Sequence, residues 1–136
     1  MSGAKKIAVA VRSDLETWQK LNVIAFITSG LGAIDASVLG EPYVDGTGRS
    51  YPPMLAFPVR VYEGDAATVR RSFDRALGRS LMVSVYTDDL FATMNDDDNR
   101  AALAAVPTGE LAIAGFVAVG DPKQVDKAFD KIKLHT

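Results

Sequence analysis

Two places in this sequence bring reactive side chains to the ends of apolar runs. Arg12-Ser13-Asp14 follows the first run, and Thr87-Asp88-Asp89 follows another. A pair of carboxylates so placed suits acid–base work on a water molecule or the binding of a hard cation. Asp14 and Asp88 are therefore the candidate catalytic residues. Each also has an ordinary role open to it. Asp14 stands where a helix dipole favours an acid, and Asp88 or Asp89 can cap the turn that follows. Asn22 is a third signal, because an amide in an otherwise apolar helical stretch must find partners or cost about 1–3 kcal/mol. It either brackets the neighbouring chain or meets a ligand. Trp18 lies one turn earlier near the same face, as a pocket wall or as core. Asp14, Trp18 and Asn22, with loop residues Asp45 and Tyr51 folded over them, form the expected ligand-binding set.

Other chemistries are narrowed by composition. The chain has no cysteine, which removes disulfides, thiolate metal sites and a Cys nucleophile. Its one histidine, His135, lies beside the C-terminus and reads as a solvated tail residue. Asp96-Asp97-Asp98 lacks the alternating spacing and closing Glu of a calcium loop and reads as a helix start. Arg71, Arg75 and Arg79, with Arg70 beside them, make a stripe that either faces solvent or binds phosphate. Gly30-Leu31-Gly32 follows a helix and no Gly-Lys-Ser/Thr comes after it, so no nucleotide fingerprint is present. No cofactor and no metal is expected.

The elements that must position these residues alternate. Ile7 to Val11 form a continuous apolar strand, the pattern of a central strand covered on both faces. Ser13 and Glu16 fit a capping box that opens a helix. That helix runs from Trp18 to Leu31, and its consecutive apolar residues predict that protein wraps it on most sides. Asp45-Gly46 predicts a small hairpin pairing Tyr43-Val44 with Ser50-Tyr51. Leu55 to Tyr62 alternate as a half-exposed strand, placed at an edge by Pro58. Asp65 and Gly78 bound a second helix. Leu81–Tyr86 and Leu111–Val119 are strands, with a short Ala-rich helix between them. Asp121-Pro122 then starts a last helix that buries Val125, Ala128, Phe129 and Ile132. This order predicts one α/β domain over residues 1–136, a four-stranded mixed sheet with helices on both faces.

Of the 136 residues, 48% are hydrophobic and 24% charged, which is globular usage. No stretch is long and apolar enough for a membrane span, and the N-terminus lacks a signal peptide's apolar core. A cytoplasmic location is expected, with no membrane partner. A net charge of -2 disfavours nucleic acid, tRNA included. The small residues Ala25, Ser29, Gly30 and Gly32 allow close backbone approach and suit a homodimer.

Arg12-Ser13-Asp14-Leu15 before a long helix resembles the start of the peptidyl-tRNA hydrolase II family. Gly109-Glu110 through Gly120-Asp121-Pro122 to Leu134 is similar to that family's ending. Trp18-Gln19-Lys20-Leu21-Asn22, Ala25-Phe26, Glu41-Pro42-Tyr43, Asp45, Gly48, Tyr51 and Met54 resemble an uncharacterised bacterial family that shares this fold. The resemblance implies a peptidyl-tRNA hydrolase II-like fold. On an ungapped comparison the hydrolase's helix Lys, Gln and His fall at Leu21, Ala25 and Thr28. Its expected function is therefore binding of an unidentified small polar ligand or protein partner. The alternatives are an esterase acting on peptidyl- or aminoacyl-tRNA, and a structural subunit that acts by oligomerising.

Overall fold

A computed structural model describes residues 4–136. Its main sheet has five strands in the order β5-β6-β1-β4-β7. They are β1 (Lys6–Arg12), β4 (Val59–Gly64), β5 (Met82–Thr87), β6 (Ile113–Gly120) and β7 (Lys133–Leu134). The expected count of four is corrected by β7, which pairs Leu134 with Tyr62 and Lys133 with Glu63. Two residues carry no readable period, so this strand had no pattern of its own. β1 runs parallel to β4 and antiparallel to β6, and β5 is antiparallel to β6. The sheet is mixed, with β1 at its centre.

β1 is apolar throughout because it feeds two cores. Ala8 and Ala10 belong to one, under α3 (Ala66–Leu77) and α5 (Pro122–Ala128), where Phe73, Phe116 and Phe129 take up the space that the alanines leave. Ile7, Val9 and Val11 belong to the other, under α1 (Thr17–Thr28) and α2 (Leu31–Ile34). Helices thus cover both faces of the sheet. α4 (Asp96–Ala104) follows β5, with Asn95 capping it by accepting from the Asp98 amide.

α1 differs from its expected form in three ways. Its cap is Glu16, which exchanges hydrogen bonds with Gln19, and not Ser13. The chain needs three more residues to turn out of the sheet, because Ser13 still donates its amide to the Gly64 carbonyl. The helix stops at Thr28, where the Thr28 and Ser29 hydroxyls bond the carbonyls of Ile24 and Phe26 before α2 begins. Nor is it wrapped on most sides. Val23 and Ile27 are its buried residues, while Trp18, Leu21 and Phe26 are exposed.

Between α2 and β4 a hairpin arm leaves the body. Its base is the Leu39–Leu55 bridge, and β2 (Tyr43–Val44) pairs with β3 (Ser50–Tyr51) in the expected register. Gly32 makes room for the base, since a Cβ there would stand 2.5 Å from Leu39 Cδ1. β4 is not the edge strand that Pro58 suggested: it lies between β1 and β7, and Pro58 falls just before it, where no ladder hydrogen bond is lost. No helix among the described residues is long and apolar enough to cross a membrane.

Candidate functional site

β1, β4 and β5 run the same way, so their carboxyl ends meet at one edge of the sheet, together with the amino end of β6. Gly120-Asp121 ends an antiparallel strand and lies at the opposite edge, where Asp121 caps α5. At the first edge the register of β5 against β6 slips, with Tyr86 opposite Gly115 and Thr87 opposite Ile113. Slips of this kind re-aim side chains. Both Tyr86 and Thr87 are buried as a result, and the next residue, Asp88, reaches Arg12.

Arg12 is the hub. Its Nε donates to Asp14 Oδ1 at 2.7 Å, and its Nη1 donates to Asp88 Oδ1 at 2.7 Å and to the Ile113 carbonyl at 3.3 Å. The Arg12 side chain is only 13% exposed, while its partners Asp14 (69%) and Asp88 (43%) face water, so solvent still screens both pairs. The Arg12 hydrogen bond holds the Asp14 carboxyl below the usual carboxylate range. The two candidate catalytic acids are thus brought together, but as the arms of one ion-pair clamp.

The clamp lines a cavity of about 550 Å³, walled by Ala66 and Ala67 of the first turn of α3, by Arg70, and by Leu111 to Ile113. Arg70 is fixed by the carbonyls of Leu111 and Thr108 and lies over the Phe73 ring. Of the five expected ligand-binding residues, Asp14 alone lines this cavity. Trp18 packs edge-on against Phe91. Asn22 lies beside the Tyr86 hydroxyl, whose pKa burial pushes up against the lowering effect of the nearby amide. These two belong to the α1 side of the sheet.

Asp45 and Tyr51 close the tip of the arm instead. The Tyr51 hydroxyl donates to Asp45 Oδ2 at 2.8 Å, and Asp45 Oδ1 accepts from the amides of Thr47 and Arg49. The Tyr51 bond leads the causes that hold the Asp45 carboxyl below its ordinary range. A folded-state value below the unfolded one contributes order above the ordinary carboxylate range, near pH 4, and loses it as pH falls through the lowered value. In Tyr51→Phe, the Asp45 carboxyl should titrate closer to the ordinary range and the turn should loosen at a higher pH. Carboxylate chemical shifts followed through an acid titration check this.

Two groups turn out to have partners that were not expected of them. His135 is exposed, as expected of a tail residue, but it is also anchored. Its amide bonds the Val61 carbonyl, its Nε2 lies 3.1 Å from Lys20 Nζ, and its Nδ1 lies 2.9 Å from the Thr136 carbonyl. An ammonium can only donate, so Nε2 accepts and Nδ1 carries the ring hydrogen. Glu63 completes this group, 3.9 Å from Lys20 and 3.8 Å from His135. It is β7, too short to leave a pattern in the sequence, that carries His135 back along β4.

The arginine stripe is likewise not a free solvent face. Arg71 and Arg75 donate to the carbonyls of Lys131 and Asp130, and Arg79 donates to Gln124. With the buried Ser72 hydroxyl on the Ala128 carbonyl, they fasten α3 to α5 and the turn that follows it. Helical spacing had located the stripe, but its partners lie some fifty residues away in sequence.

Residues 5–136 match a family described as protein of unknown function, DUF2000. The chain belongs to this family. A solved structure of similar form is that of Atu0240, a protein of unknown function from Agrobacterium tumefaciens strain C58. It shares 39% identity, with a TM-score of 0.91, over 97% of this chain and 98% of that one. Among curated proteins none matches. The uncharacterised family expected from Trp18-Gln19-Lys20-Leu21-Asn22 and the arm residues is thus a family of unknown function, and DUF2000 is its description.

Proposed function

We propose that this DUF2000 chain is a cytoplasmic, non-catalytic binding domain with a peptidyl-tRNA hydrolase II-like fold. It takes a small polar ligand in the cleft at the carboxyl end of β1. The observation that supports this reading is the Arg12 clamp opening on a cavity of about 550 Å³, a size within the range of small-molecule sites. Asp88 bonds Arg12 through Oδ1, which leaves Oδ2 for a donor on the ligand. Two carboxylates to one guanidinium favour a ligand group rich in N–H or O–H, an ammonium above all.

Thermal-shift and calorimetric titration against pools of amines, amino acids and polyols tests this. A hit that binds wild type at least about tenfold more tightly than Asp88→Asn supports the cleft, about 1.4 kcal/mol being one decade. A ligand that binds both proteins equally places its site elsewhere and rejects the assignment. Ester hydrolysis on a charged tRNA is the rival. It is less well supported, because the Arg12 hydrogen bond holds the Asp14 carboxyl below the usual range and so weakens it as a base. Turnover of aminoacyl- or peptidyl-tRNA by the pure protein, abolished in Asp14→Ala, would reverse that order.

A further inference from the structure

The arm and the outer face of α1 pose a problem of their own. Every residue from Gly40 to Met54 is exposed, among them Tyr43, Val44 (66%), Tyr51 and Met54 (59%). Yet β2 and β3 are two residues each, and a lone two-stranded hairpin is at best marginally stable in water. Along its outer side α1 presents Trp18 (61%), Leu21 (64%) and Phe26 (56%) to solvent. The arm meets the C-terminal end of α1: Thr28 and Ser29, with Ala33 of α2, line one groove together with Tyr43 and Met54.

We infer that this face is a homodimer interface, in which the arm of each copy lies across the α1 face of the other. Three observations commit it to a second copy. The first is area. A half-exposed aromatic or long aliphatic side chain offers roughly 100 Å², so the seven side chains named approach the roughly 800 Å² per partner of a standard interface. The second is charge. From Thr17 to Ile34 the lone charged residue is Lys20, and it is turned toward His135 and Glu63. Recognition of a different protein relies on complementary charges for steering and register, and α1 offers none outward. The third is shape. A projecting apolar arm beside a bare apolar helix is self-complementary under a two-fold axis, since each copy supplies one arm and receives one.

Sedimentation velocity on the full chain tests the proposal. The wild type should run at twice the chain mass with a dissociation constant at or below about 1 μM. Val44→Asp and Leu21→Asp, both at exposed positions, should each run at half that mass, with unchanged far-ultraviolet circular dichroism as the check on folding. A monomeric wild type overturns the inference, including one that instead adheres to lipid vesicles or to added proteins. A dimer indifferent to both substitutions also overturns it, because its interface then lies elsewhere. Ligand binding in the Arg12 cleft does not enter this readout.

Discussion

Phe116→Ala is expected to cost about 3–5 kcal/mol, the range for emptying an aromatic site in a core. Phe116 is fully buried on the central pair of strands. Its ring stacks on Phe129 at 5.3 Å and meets Phe73 edge-on at 5.6 Å, so one residue ties α5 and α3 to the sheet. The site has little means of collapsing, because its neighbours across β1 and along β6 are Ala8, Ala10 and Ala118, which have no side chain to swing inward. Denaturant unfolding should show the midpoint moving with little change in slope. A loss below about 1 kcal/mol would mean that the two helices close over the gap.

Gly115→Ala acts on the opposite face of the same strand by the opposite mechanism. A Cβ at this position would stand 2.7 Å from Val23 Cγ1 and 2.9 Å from the Ala10 carbonyl. The second of these is the backbone of the central strand and cannot step aside, so α1 must lift or the β1–β6 ladder must distort. Overpacking of this kind costs about 1–3 kcal/mol. Because α1 is the helix forced outward, the loss should appear in hydrogen exchange of α1 amides before it appears in α3 or α5. Gly115→Ala combined with Val23→Ala should recover part of the stability, since the second change removes the methyl carbon that the first one strikes. A stability equal to wild type in the single variant would show that the close approach is not tight.

What the sequence revealed and what it withheld divide along local and distant causes. The arm register, the Asp65 and Asp121 caps and the burial of Val125 and Ala128 on α5 rest on neighbours within a few residues, and pattern alone located them, although α5 ends at Ala128 and leaves the equally buried Phe129 and Ile132 beyond it. The family likewise rested on a run of residues that stay adjacent in any fold. The site was only partly legible. Its two acids could be picked out as ends of strands, but the guanidinium between them lies 76 residues from Asp88, and no local rule pairs them. The residue beside the Asn22 amide, Tyr86, comes from β5, 64 positions on, which no local pattern could supply. The outward side of α1 misled for a physical reason: consecutive apolar residues look alike whether a helix is enclosed by its own chain or left bare.

The place of β1 in the sheet has a consequence for how the chain is made. Among the described strands β1 comes first in sequence and is the central one, yet its antiparallel partner ends at residue 120, and Lys6 pairs with Asp126 across 120 positions. During most of synthesis Ile7 to Val11 have only β4 to lean on, and contacts this distant in sequence close slowly. Until β6 emerges, the nascent chain carries an apolar strand with one edge open, the condition that invites association with other unfinished chains. The centre of the finished sheet is therefore also the segment that waits longest for shelter.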